Sequence, residues 1–256
     1  MCLIAFALAQ HPEYPLVVAA NRDEFFQRPT AAMDWWPDQN LLAGRDLSSG
    51  GTWLAVSRDG RVAAVTNVRE GSPEPGRVSR GELPVLALSG PDAIASQLPA
   101  HQHDYAGFNL LSLADRSGWY YSNRDAHPGR HIHRGVYGLS NHLLQSPWPK
   151  LLRLRDGFAS TLRKDLGAGP QALHRDLIRL LQDDTPADDR DLPDTGVDIA
   201  TERMLSSPFI RGEAYGTRAT TIVSVGASGE ILVTEQTWLP FGRPGEQRQF
   251  SWQRES

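Results

Sequence analysis

The chain of 256 residues has one cysteine, and it stands second, at Cys2. A small second residue permits enzymatic removal of Met1, which leaves Cys2 with a free α-amine. An α-amine titrates near about 7.7–8.0 and a thiol near about 8.5, so both are close to poised at neutral pH. The amine can then act as base for its own thiol, which supports nucleophilic catalysis without a histidine. The plainer reading is a small residue opening a buried strand, because cysteine buries readily. Taken alone, Cys2 favours that plainer reading.

Other polar groups recur at the ends of apolar runs. Asn21-Arg22-Asp23-Glu24 follows the second run. There Asp23 has the chemistry to orient an amine, and Arg22 to hold a thiolate or a substrate carboxylate; a solvated turn is the alternative. Asn67, in Thr66-Asn67-Val68-Arg69, offers an amide donor for an oxyanion, although asparagine at a strand end is usually a turn former. Asn141, in Leu139-Ser140-Asn141, either caps local structure or turns its amide to a site. Arg218, in Tyr215-Gly216-Thr217-Arg218, stands at the mouth of a further strand, and Gly50-Gly51-Thr52-Trp53 is a flexible turn entering one. Trp35-Trp36 reads as a loop pair lying as a lid over the core, with substrate contact as a second role. His101-x-His103 and His131-x-His133 lack a carboxylate or third histidine at a recognised spacing, so no metal site is expected.

The elements that must position these groups are mostly hairpins. Cys2–Leu8 and Leu16–Ala20 flank a turn-rich stretch, and Trp53–Ser57 and Val62–Thr66 flank Asp59-Gly60, a strong hairpin signal. Gly107–Leu113 pairs with Gly118–Ser122, and Thr220–Val225 with Glu230–Thr234. Leu151, Leu154, Phe158, Leu162 and Leu166 recur at helical spacing and predict an amphipathic helix from about 148 to 166. A second helix follows Pro170, and shorter ones cover Gly81–Leu88 and Asp92–Leu98. Residues 183–191 are acidic and read as a solvated loop. Hairpins imply largely antiparallel sheets with helices packed outside them, in a single domain over residues 1–256.

Composition narrows the function classes. Hydrophobic residues make up 40% and charged residues 22%, enough for a sizeable core. A net charge of −4, with basic residues spread along the chain, argues against nucleic acid as a partner. No apolar run is long enough for a membrane span. The run Leu3–Ala9 lacks the flanks of a signal peptide, and a lone cysteine demands no oxidising compartment. These features point to the cytoplasm; oligomeric state is not readable.

Met1-Cys2-Leu3-Ile4, Ala20-Asn21-Arg22-Asp23-Glu24, Gly51-Thr52-Trp53, Thr66-Asn67-Val68-Arg69, Leu139-Ser140-Asn141 with Pro147-Trp148-Pro149-Lys150, and Tyr215-Gly216-Thr217-Arg218 occur in this order over most of the chain. Together they resemble the NRDE family, also called the transport and Golgi organisation protein 2 family. The resemblance implies an α+β fold of the N-terminal-nucleophile hydrolase type, a four-layer αββα sandwich of two largely antiparallel sheets. It implies Cys2 as nucleophile and base, Asp23 positioning the amine, Asn67 supplying the oxyanion amide, Asn141 binding substrate or the tetrahedral intermediate, and Arg218 supporting the nucleophile. The hydrolases commonly place their arginine earlier, in Arg-Asn-x-Asp, whereas this chain has Ala20-Asn21-Arg22-Asp23; Asn21, Arg22, Trp35 and Trp36 are the candidates for substrate binding. The activity implied is hydrolysis of an amide or thioester-like bond of a small metabolite, with no cofactor required. The alternative is a non-catalytic carrier of haem, lipid or acyl-CoA, with haem trafficking among the roles the family implies. A role in Golgi organisation comes from the family name alone.

Overall fold

The computed structural model describes residues 2–72, 74–165 and 167–255. Six strands come first: β1 (Cys2–Leu8), β2 (Leu16–Phe25), β3 (Thr30–Trp36), β4 (Leu41–Asp46), β5 (Leu54–Ser57) and β6 (Val62–Asn67). Helices α1 (Leu83–Ser89) and α2 (Pro91–His101) precede β7 (Phe108–Ala114), β8 (Ser117–Ser122), β9 (Arg130–Ile132) and β10 (Gly135–Leu139). Then come α3 (Pro149–Lys164), α4 (Pro170–Leu180), the short α5 (Ile199–Met204), and β11 (Tyr215–Val225), β12 (Glu230–Leu239) and β13 (Arg243–Gln253). One sheet has the order β10-β1-β2-β11-β12-β13 and the other runs β3 to β9 in chain order. All the pairings are antiparallel.

Successive side chains of a strand point to opposite faces, and β1 uses both. Ile4, Phe6 and Leu8 face the other sheet, where Leu54, Val56, Val62 and Leu111 meet them in a central core. Leu3, Ala5 and Ala7 face the other way, onto Leu151, Leu154 and Phe158 of α3 and Leu173 and Leu177 of α4. Against the outer face of the second sheet, Leu83 and Ala87 of α1 and Ile94 and Leu98 of α2 cover Ala55, Ala63 and Leu110. The layers therefore run helix, sheet, sheet, helix, as the αββα expectation has it. Each fully buried aliphatic side chain contributes roughly 1.5–3 kcal/mol, and the double-faced β1 draws on two cores at once.

The long helix keeps its expected start; Leu166, its expected last apolar contact, lies outside the described residues. β2 continues past Ala20 through Asn21-Arg22-Asp23, because tertiary partners satisfy polar groups that composition assigns to a turn. The segment of Trp35-Trp36 is strand β3, not a loop, and the charged β13 is an edge strand whose outward residues deter pairing with other chains.

His174 of α4 ties the helical layer to the sheet beneath it. Its ring nitrogens lie 2.8 Å from Thr234 Oγ1 and 2.9 Å from Ser224 Oγ, and burial pushes its pKa down to about 3. The native state thus refuses a proton that the unfolded chain accepts below about 6.5. Stability from this group is complete above about pH 6.5 and falls by up to about 1.4 kcal/mol per pH unit on acidification towards 3. Thermal unfolding across that window should show a shallower acid-side decline for His174→Gln than for wild type; equal slopes would refute the assignment.

Candidate active site

Cys2 belongs to the same face of β1 as Ile4 and Phe6, so it points between the sheets, where it is buried. There the apolar core gives way to a cavity of about 370 Å³ lined by Cys2, Asp23, Trp53, Asn67, Arg80 and Arg218 among others. Burial pushes the Cys2 thiol up to about 11, against the opposing pull of Arg22. The thiol is therefore neutral at physiological pH and needs a base before it can attack.

A hydrogen-bonded belt sets the closed end of the cavity. Ser140 Oγ donates to the Cys2 carbonyl at 3.2 Å, and Thr66 Oγ1 of the opposite sheet donates to the Ser140 carbonyl at 2.8 Å. Asn109 Nδ2 donates to Thr66 Oγ1 at 3.0 Å and accepts from Tyr120 Oη at 2.9 Å through its own oxygen. Beside this belt Asn141 Nδ2 donates to the Asn67 carbonyl at 3.1 Å and to Asn67 Oδ1 at 2.9 Å. With Oδ1 so engaged, the Asn67 amide keeps its donor side for other partners, and that donor makes one long contact, 3.5 Å to the Val68 carbonyl. Asn141 is fully buried and is absent from the cavity lining, so it orients Asn67; the assignment of Asn141 to direct substrate binding is corrected accordingly.

The end of β2 supplies the next groups. Cys2 pairs with Arg22 across β1 and β2. Arg22 lies on the cavity side, 3.4 Å from Thr30 Oγ1 and 3.4 Å from Asp46 Oδ2. Asp23 is buried and accepts at 2.7 Å from Thr217 Oγ1, whose oxygen also accepts from the Ile210 N–H at 2.9 Å. The register of β11 shifts between Thr217 and Ala219. That bulge re-aims Arg218 into the cavity mouth, where its guanidinium donates to the carbonyls of Phe25 (2.8 Å) and Arg28 (3.0 Å). Arg218 thus pins the β2–β3 turn as well as lining the cavity.

Three other assignments to substrate binding are corrected. Asn21 follows the alternation of β2 away from the cavity, donates to the carbonyls of Leu181 (2.9 Å) and Pro208 (3.0 Å), and accepts from Thr220 Oγ1. Trp35 packs edge-on against Trp252 under the Arg58 guanidinium. Trp36 is a core residue whose Nε1 donates to the Ala43 carbonyl at 3.0 Å. Neither tryptophan lines the cavity.

Sequence pattern assigns no role to Arg80 or Glu235, and Lys150 stands in it only as part of Pro147-Trp148-Pro149-Lys150. Arg80 sits in the turn before α1, and Glu235 of β12 is a buried carboxyl on the cavity wall that accepts the Met33 N–H at 2.7 Å. Burial raises the Glu235 pKa. Lys150, fully buried, donates to the Leu205 carbonyl at 2.8 Å, and burial followed by Arg69 pushes it down to about 8. The available signals were the period-two alternation, which separates Asn21 from Arg22, and Gly51. A Cβ on Gly51 would lie 2.5 Å from the Gly81 carbonyl carbon, and the Thr52 N–H donates to the Gly81 carbonyl at 2.8 Å. The glycine therefore permits the backbone crossing that carries Arg80 to the cavity.

Among the described residues no group of three or more His, Cys, Asp and Glu is arranged to hold a metal ion. For haem the donor set does not fit. Among the described residues Cys2 is the one sulfur or imidazole donor lining the cavity, burial favours its neutral thiol, and the walls carry charged arginines and carboxylates where a macrocycle needs apolar ones. No helix among the described residues is long and apolar enough to cross a membrane.

Two antiparallel sheets between helical layers, with a cysteine opening the double-faced strand onto a polar cavity, define an α+β sandwich built around a thiol. The chain belongs to the Transport and Golgi organisation 2 family, whose model matches residues 1–240. It is 34% identical over 262 residues to the Transport and Golgi organization protein 2 homolog of Bos taurus, covering 93% of this chain and 94% of that one. The Homo sapiens homolog is 34% identical over 263 residues with the same coverage, and the Drosophila melanogaster protein 27% over 281 residues, covering 96% and 95%. Among solved structures, a mutant conjugated bile acid hydrolase from Clostridium perfringens aligns at 10% identity and a TM-score of 0.48, covering 100% of this chain and 94% of that one. An N-acylethanolamine-hydrolyzing acid amidase ortholog from Caenorhabditis elegans aligns at 8% identity and 0.41, covering 86% and 92%.

In an N-terminally tagged form, where Cys2 has no α-amine, alkylation by iodoacetamide should accelerate about tenfold per pH unit from neutrality towards pH 11. A plateau near pH 8.5 would contradict the buried thiol. Gly51→Ala should cost about 1–3 kcal/mol through the forced backbone contact, seen as a lower urea midpoint at unchanged slope; an unaltered midpoint would show that the crossing yields freely.

Proposed function

We propose that the protein is a cysteine hydrolase that cleaves an amide or thioester-like bond of a small molecule, with Cys2 as its N-terminal nucleophile. The observation that carries the reading is the convergence of Cys2, Asp23, Asn67 and Arg218 on one cavity at the edge of the inter-sheet core. A purely structural cysteine needs no charged groups before it.

Met1 lies outside the described residues, and the mechanism requires its removal. The freed α-amine of Cys2 then takes the Sγ proton as Sγ bonds to the substrate carbonyl carbon. The carbonyl oxygen becomes an oxyanion, for which Asn67 supplies an amide donor whose orientation Asn141 fixes. The proton passes to the departing nitrogen or sulfur as its bond to carbon breaks, leaving a thioester on Cys2. Water, deprotonated by the same amine, adds to that thioester and restores the thiol. Asp23, held by Thr217, orients the amine at the end of β2. A reducing compartment such as the cytoplasm would keep the thiol free for this chemistry. No feature of the cavity favours the carrier reading, with haem or a lipid as cargo.

Intact mass of the untagged protein should show loss of Met1, and p-nitrophenyl acetate should add one acetyl group to the wild type and none to Cys2→Ala. Quantitative retention of Met1 would end the mechanism. Asn67→Ala should slow acetylation by about 10²–10³ if its amide holds the oxyanion; an unchanged rate would remove Asn67 from the site.

A further inference from the structure

Five arginines line the cavity: Arg22, Arg28, Arg45, Arg80 and Arg218. Asp46 and Glu24 answer two of them, with Asp46 Oδ2 at 2.6 Å from Arg28 and 3.4 Å from Arg22, and Glu24 Oε2 within 4 Å of both. Asp23 is engaged by Thr217, and Glu235 by the Met33 N–H. Arg45 is exposed at the rim, stacked on Trp36. Arg218 Nη1 donates to two backbone carbonyls of the β2–β3 turn, which fixes that guanidinium at the cavity mouth.

Arg80 stands apart. Its guanidinium makes one hydrogen bond, from Nη1 to the Gly107 carbonyl at 2.8 Å, and no carboxylate of the described residues lies at ion-pair distance. A guanidinium carries five N–H donors in a fixed fork and stays charged, so most of this one remains unmatched. It is half-buried, and its backbone is fixed from both sides: the Gly51–Gly81 crossing holds one flank, and the Ser79 side chain accepts the Gly81 N–H at 3.2 Å on the other. A cation withdrawn from water without a counter-charge costs stability, and an arriving oxyanion reverses that cost through paired charge-assisted bonds.

We propose that Arg80 is the anion anchor of the cavity, and that the substrate attacked by Cys2 carries an oxyanion, a carboxylate or a phosphate, near its reacting carbonyl. The proposal rests on the nucleophile reading and adds a substrate class to it. Arg80 comes from the turn before α1 and Cys2 from β1, so one ligand held in the 370 Å³ space is gripped by one and attacked by the other.

Alkylation of Cys2 in the untagged protein tests this, read by intact mass. In the step Sγ bonds to the methylene carbon, iodide leaves, and the thiol proton passes to solvent. Iodoacetate carries a carboxylate beside its reacting carbon and iodoacetamide a neutral amide, so their rate ratio cancels any change in thiol reactivity common to both. The wild-type ratio should favour iodoacetate, Arg80→Gln should lower it about tenfold or more, and Arg80→Lys should restore part of it. Protection against iodoacetamide by acetate would identify a carboxylate as the partner, and protection by inorganic phosphate a phosphate. The same ratio in wild type and Arg80→Gln would overturn the anchor while leaving the nucleophile in place. A Cys2 inert to both reagents would overturn the nucleophile reading, and the anchor with it.

Discussion

A strand buried on both faces cannot choose which of its residues to hide, because the pleat sends them alternately to one side and the other. β2 carries this constraint to its polar end. Between β1 and β11, Asn21 must be satisfied on the helical side, which Leu181, Pro208 and Thr220 do. Arg22, one residue on, must be satisfied between the sheets, where Thr30 and Asp46 receive it. The turn that follows β2, the bulge at Arg218 and the loop after β4 are arranged around these obligations. A sheet that ended at Ala20 would need none of them, and would have no cavity in front of Cys2.

The charge behind the cavity obeys the same logic. Glu202 of α5 pairs with the Arg69 guanidinium in a buried site beneath Trp148, and Thr195 donates to the same carboxylate. Burial and then the Arg69 charge push the Lys150 pKa down, and burial lowers the Arg69 pKa against the pull of Glu202. A buried ion pair is seldom a net gain in stability over apolar packing. This cluster instead ties α5 to Arg69 and Trp148, outside the residues that line the cavity.

The fold was largely legible. Apolar alternation and the Asp59-Gly60 turn located most hairpins, and helical spacing located α3 and α4. β3, β4 and β13 were not legible, since their mixed polar character resembles loop composition and their strand state comes from neighbours. In the site, the positions of Cys2, Asp23, Asn67 and Arg218 stood out because polar residues at strand ends invite a chemical reading. Asn21 and Arg22 were grouped by adjacency, although alternation within a strand parts them. Trp35 and Trp36 were misplaced because a tryptophan pair looks alike as a lid and as a strand flank. Arg80 and Glu235 carry no local pattern at all; only the backbone crossing at Gly51 and the register of β12 bring them to the cavity.

What separates the two readings of Cys2 is the company on its face, since its burial is common to both. Ile4 and Phe6, two and four residues along the same face, meet Leu, Val and Tyr side chains. Cys2 instead borders a cavity that Arg22, Asn67 and Arg80 also line. A thiol placed only to fill space gains nothing from a cavity whose walls are ionised, and the cavity loses packing energy by being there. The belt from the Cys2 carbonyl through Ser140, Thr66 and Asn109 to Tyr120 spends five polar groups on holding the first residue of β1 against the opposite sheet. That belt ties the opening of β1 to the strand ends that carry Asn67 and Asn141.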